Sequence, residues 1–99
     1  MTDLDWNDIR FFLAVMRCGS MRRAGSSLSA DQATVSRHIA GLEATLGHKL
    51  FRRRAGRYEL TSKGSALVAG AEAMEATALT ITHRAASGRG PRAGKIPTT

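Results

Sequence analysis

A three-residue break between two helical patterns is the feature that most constrains the fold of this chain. The segment before the break carries an apolar stripe at helical spacing, formed by Met21, Ala24, Gly25 and Leu28. The segment after it carries a second stripe, formed by Val35, Ile39, Leu42 and Leu46. The break, Ser29–Ala30–Asp31, has room only for a tight turn, so the pattern predicts a helix-turn-helix. Gly25 costs about 1 kcal/mol relative to Ala inside a helix, and we expect another helix to approach it closely.

Residues suited to helix ends flank these patterns. Asp5, Ser20 and Asp31 stand just before apolar stripes, where a short polar side chain caps a helix N-terminus. Gly19 and Gly47 follow two of the stripes, and glycine favours the left-handed conformation that ends a helix. A further helix is therefore predicted at the start of the chain, with an apolar face formed by Trp6, Ile9, Phe12, Leu13 and Met16.

After Gly47 the pattern changes to that of short strands. Segments 49–53 and 57–60 contain strand-forming residues and are separated by Gly56, which predicts a β-hairpin. A two-stranded hairpin is marginal by itself, so we expect it to pack on the helices as a wing. Four arginines belong to it: Arg52, Arg53, Arg54 and Arg57.

A long helix is predicted from residue 62 to residue 86, with Thr61 as its cap. Its apolar residues repeat at heptad-like spacing: Leu67, Ala71, Met74, Ala78 and Ile81. About 25 residues give a helix of about 37 Å, and little of this chain is left to cover it. We therefore expect a homodimer through this helix, with packing on a missing domain as the alternative. The predicted organisation is a winged domain over 1–60, a linker helix over 61–86 and a flexible basic tail over 87–99.

Charge points to a polyanionic partner. The net charge is +7, and residues 17–63 carry ten bases against three acids. DNA, RNA and anionic lipid are the candidate partners, and a merely solvated basic surface is the alternative. The single Cys18 cannot form an internal disulfide, and three scattered His predict no metal site or cofactor. We expect no membrane span and no signal peptide, and a cytoplasmic, nucleoid-associated protein.

The run DQATVSRHI contains Asp31, Ser36 and His38, which could suggest a nucleophilic site. Residues two positions apart on a helix point about 160° away from each other, so Ser36 and His38 cannot form a nucleophile–base pair. His38 is expected at the margin of the apolar face, and Asp31 as a cap. Glu72 and Glu75 share a helix face and are interpreted as solvated acids. The sequence therefore predicts no catalytic residues and no enzyme.

The same helix suits nucleic-acid binding. Small and polar residues lie opposite its apolar face, and the N-terminal part of the second helix of such a motif meets base edges. The residues predicted to contact bases are Gln32, Ala33, Thr34, Ser36 and Arg37. The residues predicted to contact phosphates are Ser20, Arg22, Arg23, Arg52, Arg53, Arg54 and Arg57.

Residues 6–64 resemble the N-terminal DNA-binding domain of LysR-type transcriptional regulators. The matching motifs are Ile9-x-x-Phe12, Gly19-Ser20 with Ala24 and Leu28, Gln32-x-x-Val35-Ser36-Arg37-x-Ile39-x-x-Leu42-Glu43-x-x-Leu46-Gly47, Leu50-Phe51-x-Arg53 and Leu60-Thr61-x-x-Gly64. The resemblance implies a mainly α winged helix-turn-helix and a linker helix that pairs subunits. It also implies sequence-specific binding of double-stranded DNA at imperfect palindromic promoter sites, with DNA contacts from Gln32, Ser36, Arg37 and Arg53.

Members of this family commonly carry a larger C-terminal domain that binds a small-molecule effector, and this sequence lacks one. We expect a part of a longer regulator, with a naturally short regulator as the alternative. Four positions depart from the family pattern: Arg22 stands where Thr is common, Gly25 where Ala is, Asp31 where Ser is and Ala33 where Pro is. Two further functions stay open, an architectural DNA binder without sequence preference and a winged-helix module that binds a protein.

Overall fold

The structure is a computed structural model and describes residues 4–88. Along the chain lie α1 (Trp6–Cys18), α2 (Met21–Ser27), α3 (Gln32–Leu46), β1 (Phe51–Arg54), β2 (Arg57–Leu60) and α4 (Ser62–Gly88). The predicted winged helix-turn-helix with a long following helix is confirmed. Strand β1 begins two residues later than predicted, and α4 continues two residues further, into the segment predicted as a tail. Residues 89–99 of that tail lie outside the described residues.

The predicted caps are confirmed at the helix N-termini. The carboxylate of Asp5 accepts a hydrogen bond from the Asn7 amide at 2.8 Å, and Asp31 accepts one from the Thr34 amide at 2.8 Å. The Ser20 hydroxyl accepts from the Arg23 amide at 3.2 Å. These bonds satisfy amides that have no partner inside their own helix. At the C-termini, Gly19 and Gly47 adopt the left-handed conformation with φ of 68° and 78°.

Helix α1 lies at the centre of the molecule. It packs against α2, α3, α4 and β2, and its apolar face is buried between them. The largest fully buried side chains come from α1, α3 and the segment before the wing: Phe12, Ile9, Leu13, Leu42, Leu50, Val15 and Val35. The core therefore positions the outer face of α3 by burying its inner face.

The turn between α2 and α3 explains Gly25. The Ala30 amide donates to the Gly25 carbonyl at 2.8 Å, which folds the turn back over α2. A Cβ on Gly25 would collide with the Ala30 carbonyl oxygen and lie 3.3 Å from the Val35 side chain of α3. The expected approach of another helix is therefore present at Val35, but the closest contact comes from the backbone of the turn.

The wing is a two-stranded antiparallel hairpin whose turn is Ala55–Gly56. Both turn residues have positive φ, 52° and 76°, as tight hairpin turns with right-handed strand twist require. The register pairs Phe51 with Leu60 and Arg53 with Tyr58 on one face of the ribbon. The other face carries Arg52, Arg54, Arg57 and Glu59.

The wing is attached to the helices by backbone and side-chain hydrogen bonds. The Tyr58 amide donates to the Gly19 carbonyl at 3.1 Å, which joins β2 to the α1–α2 turn. At the base of the wing, the Leu50 amide donates to the Glu43 carboxylate at 2.8 Å, and the Thr61 hydroxyl donates to the Lys49 carbonyl at 2.6 Å. The hairpin therefore keeps a defined position relative to α3.

Candidate nucleic-acid interface

The outer face of α3 presents the residues predicted to contact bases. Gln32, Ala33, Ser36 and Arg37 are exposed and Thr34 is half-buried. On the opposite side of the same helix the apolar stripe is buried: Val35, Ile39 and Leu42. The face between residues 32 and 37 is therefore free to approach a duplex. Small side chains at Ala33 and Ala40 leave the helix backbone accessible for a close approach.

Asp31 places a negative charge at the start of this face. Hydrogen bonding from Thr34 lowers the pKa of the Asp31 carboxyl, and the positive charge of Arg37 adds to this effect. The carboxylate is therefore ionised at neutral pH. The Arg37 guanidinium also donates a long hydrogen bond of 3.4 Å to the Thr34 hydroxyl, which places these three side chains along one strip of the helix.

His38 lies outside this face and contacts α1. Its Nδ1 is 2.6 Å from the Asp8 carboxylate, and its ring stacks on Phe11 with centroids 4.3 Å apart and planes 9° from parallel. The predicted position of His38 at the margin of the apolar face is confirmed, and the side chain is half-buried. With its ring held by Asp8 and Phe11, His38 tethers α3 to α1, whereas Ser36 is exposed.

Every arginine of the wing has a partner within the chain. The Arg53 guanidinium lies over the Tyr58 ring, 4.7 Å from its centroid, and donates to the Tyr58 hydroxyl at 3.2 Å. Arg52 lies directly across the hairpin from Glu59 and Arg54 lies diagonally from it, with N–O distances of 3.9 Å and 3.6 Å. All three guanidinium groups remain exposed to solvent. Glu59 therefore offsets part of the positive charge on the outer face of the wing.

Arg57 is engaged at the end of α1. Its guanidinium covers Gly19, and its Nη2 donates a long hydrogen bond of 3.5 Å to the Cys18 carbonyl. A cation at this position complements the negative end of a helix. The predicted phosphate contact of Arg57 stays a prediction, and it would compete with this capping role.

The start of α2 provides the remaining predicted phosphate contacts. Arg22 and Arg23 are exposed in its first turn, and Ser20 caps the helix. The Ser20 hydroxyl accepts from a backbone amide, which leaves its own hydrogen available for a phosphate oxygen.

A family comparison matches this arrangement. Residues 6–65 match the family model of the bacterial regulatory helix-turn-helix proteins, lysR family. The chain belongs to the LysR family. The matched range contains all three helices of the winged domain, the wing and the first turn of α4.

Curated LysR-family relatives are similar over most of this chain. The Mau operon transcriptional activator of Paracoccus denitrificans is 37% identical over 79 residues, which are 80% of this chain and 28% of that protein. A probable hydrogen peroxide-inducible genes activator of Mycobacterium avium is 36% identical over 95 residues, 91% of this chain and 30% of that protein. The chain thus spans less than a third of the length of these two relatives.

Solved LysR-family structures have the same fold. A DNA complex of the CbnR DNA-binding domain superposes with a TM-score of 0.75 at 28% identity, covering 85% of this chain and 97% of that one. Full-length CbnR with its target DNA also gives 0.75 at 28% identity, covering 86% of this chain and 30% of that one. Corynebacterium glutamicum OxyR reaches 0.86 at 24% identity, covering 90% of this chain and 28% of that one, a likeness of fold alone.

The predicted interface seam of this LysR-family chain divides into two parts. Leu67 and Met74 are half-buried against the chain's own core, and Ala71 is fully buried at 0% exposure. Ala71 therefore has no surface to offer a partner, and its prediction as an interface residue is corrected. Ala78 is half-buried, whereas Ile81 is 63% exposed.

An apolar groove lies along the more distal part of α4. It has a volume of about 450 Å³ and is lined by Trp6, Ala73, Met74, Thr77, Ala78 and Ile81. Leu79, which the heptad pattern omits, is 57% exposed and lines a different pocket, together with Arg17, Leu28 and Glu75. The surface available to another helix is therefore shifted toward the C-terminal end of α4 and includes Trp6 of α1.

Sequence reasoning missed the polar contacts that join separate elements. The sequence predicts a solvated Glu75, but its carboxylate accepts two hydrogen bonds of 2.7 Å from Arg17. Asp8 contacts His38, and the Glu43 carboxylate accepts from the Leu50 amide. For the Arg17–Glu75 pair the only signal in the sequence is opposite charge. Charge alone does not select one partner among residues as far as 58 positions apart.

Two negative observations apply to the described part of the chain. Within residues 4–88, none of the helices is both long and apolar enough to cross a membrane. Over the same residues, no three His, Cys, Asp or Glu side chains are grouped so that they could hold a metal ion.

Proposed function

We propose that this LysR-family chain binds specific double-stranded DNA at promoter sites as a homodimer and thereby regulates transcription. The observation that carries the proposal is the exposed N-terminal half of α3, where Gln32, Ser36 and Arg37 project from a helix whose other face is buried. A helix held in this way enters the major groove with its N-terminal residues toward the base edges.

The chemistry of these side chains suits base recognition. Gln can bond bidentately to adenine and Arg to guanine, while Ser bonds to either. Ala33 and the methyl group of Thr34 offer apolar contact to a thymine methyl. The exposed arginines of α2 and the wing flank this face and bind phosphates, which position the protein without reading sequence.

The comparisons support this function. The Paracoccus and Mycobacterium relatives are described as activators, and the CbnR domain was crystallised with DNA. The two activator descriptions belong to proteins of which this chain spans less than a third. A small-molecule effector would belong to a C-terminal domain of such a longer protein, and a place on the bacterial nucleoid would follow from promoter binding.

The homodimer is proposed to form through the distal part of α4. Leu79 points to another side of α4 and lines a different pocket, whereas Ile81 is exposed and lines the groove beside Trp6. This groove is wide enough for apolar side chains of a second α4. Burying such a patch removes apolar area from water, which favours association.

Selection of genomic fragments by the purified chain tests the proposed function. Selected fragments should share a pair of related half-sites, and they should bind at least about 10³ times more tightly than random duplex at physiological salt. Equal binding of both would indicate an architectural protein. A folded dimer that binds no duplex even at low salt would indicate a protein-interaction module.

A further inference from the structure

We infer that the Arg17–Glu75 ion pair sets the angle at which α4 leaves the winged domain, and that it thereby sets the half-site spacing that the dimer accepts. The inference rests on the proposed dimeric DNA binding. Arg17 lies in the last turn of α1 and Glu75 in the middle of α4, so the pair joins the DNA-binding unit to the helix that pairs subunits.

The N-terminal part of α4 is fixed to the winged domain by close packing. Gly64 lies so near the Leu50 carbonyl that a Cβ would collide with it, and the Thr61 amide donates to the same carbonyl at 2.9 Å. Two turns later Ala71 is fully buried, and Leu67 and Met74 pack half-buried on the core. These apolar contacts hold the helix against the domain, but apolar packing is non-directional and does not by itself define the direction of the later turns.

The contact between Arg17 and Glu75 defines the direction of these later turns of α4. Arg17 forms this contact through its guanidinium. Its two terminal nitrogens donate to the two oxygens of Glu75, each at 2.7 Å, and a Glu72 oxygen lies 3.9 Å from the same guanidinium. A bidentate pair of this kind is planar and therefore specifies orientation as well as distance. Hydrogen bonding from Arg17 lowers the pKa of Glu75, so the pair is ionised at neutral pH.

Beyond Glu75 the helix projects from the domain. Leu79 and Ile81 are exposed, as are residues 83–85. Thirteen further residues extend about 20 Å, and a tilt of about 10° at the ion pair would displace their far end by about 3.4 Å, the rise of one base pair. A small change of angle at this contact is thus converted into a change of one base pair in half-site spacing.

The pair acts on spacing and leaves base recognition unchanged. Arg17 and Glu75 lie on α1 and α4, away from the exposed face of α3. We therefore expect variants to bind a single half-site as the unmodified chain does. What they should lose is the preference for one separation between two half-sites.

The experiment uses the full chain and duplexes with two copies of the selected half-site, separated by a spacer varied one base pair at a time. The unmodified dimer should prefer one spacing over its neighbours by about tenfold. Glu75→Gln removes the charge, and Arg17→Lys keeps the charge but loses the two-pronged geometry. Both should reduce the preference to about threefold or less. Glu72→Gln, one turn away and 3.9 Å from Arg17, is the matched control and should keep it.

Measurements of half-site affinity, thermal unfolding and sedimentation separate an effect on spacing from effects on base recognition, folding or association. Single half-site affinity and sedimentation should be unchanged in Glu75→Gln and Arg17→Lys, and the thermal unfolding temperature at neutral pH should fall only by the small amount that an exposed ion pair contributes. Undiminished spacing preference in both variants would overturn the inference, as would a variant that is monomeric, because the pair would then act in association. No spacing preference in the unmodified dimer would also overturn it. Absence of any DNA binding by the unmodified chain would instead reject the proposed function.

Discussion

At the scale of single residues, Asp31 combines two opposing effects. Its carboxylate caps α3 through the Thr34 amide, which stabilises the recognition helix. The same charge stands at the start of the face that we propose binds DNA. Serine can provide the cap without the charge. We therefore expect Asp31 to stabilise α3 while weakening DNA binding.

We predict that Asp31→Ser preserves the fold and tightens binding to random duplex about fivefold, the size of one charge contact in water. Circular dichroism checks the fold, and fluorescence anisotropy with labelled duplex measures the affinity. Asp31→Asn is the matched control, because it also removes the charge and keeps a capping oxygen. Weaker cognate binding in both variants would assign Asp31 a direct role in recognition, with a cytosine amine as its partner.

Arg37 is predicted to contact a base, whereas Arg53 is predicted to contact a phosphate. Arg37→Ala is expected to weaken cognate binding by about 1–3 kcal/mol with little effect on random DNA, since it loses a base contact. Competition titrations with cognate and random duplexes measure the difference. Equal losses on both would assign Arg37 to phosphate.

Arg53→Ala is expected to weaken binding to both kinds of duplex. The slope of log affinity against log salt should become shallower by about 0.9, which corresponds to one phosphate contact. Arg53 also lies over Tyr58, so thermal unfolding of the variant should be measured alongside. An unchanged slope would remove Arg53 from the interface.

At the scale of elements, α1 contacts every other helix and the second strand. Phe12, fully buried at its centre, packs with its ring 5.4 Å from that of Phe51 in the wing. Phe12→Ala should lower the free energy of unfolding by about 3–5 kcal/mol, because it removes buried surface and leaves a cavity. Urea unfolding measures this, and Phe12→Leu should cost less. Equal losses in the free energy of unfolding for Phe12→Ala and Phe12→Leu would contradict this prediction, because Leu fills more of the space left by Phe12.

Docking of α4 on α1 should depend on pH through Glu75. Its folded-state pKa is lowered by Arg17, so its contribution to stability is present above the ordinary Glu pKa and is lost as pH falls through the lowered value. The unmodified chain should therefore lose more stability between neutral and acidic pH than Glu75→Gln does. Thermal unfolding across this range measures the difference, and parallel curves would contradict it.

At the scale of the whole molecule, the proposed homodimer depends on the part of α4 that its own chain leaves exposed. Leu67 and Met74 pack on the core, so a charge there would disturb the fold as well as any dimer. Ile81→Glu tests the dimer without disturbing the core, because Ile81 is exposed. It should weaken dimerisation at least about tenfold, since it places a charge in an apolar contact. Sedimentation measures the dissociation constant.

Thr80→Glu provides the matched control for Ile81→Glu. Thr80 is exposed on α4, and its hydroxyl donates to the Ala76 carbonyl of the same helix. The control should remain dimeric. A monomer in the unmodified chain, or equal weakening in the two variants, would contradict the proposed interface.

Local signals in the amino-acid sequence account for the helices and strands of this protein. Caps such as Asp5, Ser20 and Asp31, and stops such as Gly19, act on neighbouring residues, so their effect can be derived from a few positions of sequence. The periodicity of apolar residues likewise determined which face of α3 is buried and which is exposed, and the strand-forming segments on either side of Gly56 predicted the wing.

Only the tertiary structure decided which distant side chains meet. It paired Glu75 with Arg17, turned His38 toward Asp8 and buried Ala71 of the long helix in the chain's own core. It also placed Arg57 over the end of α1. The physical reason is that these contacts depend on the angles and separations between packed elements, which arise from the packing of the whole core and are not encoded in any local stretch of the chain.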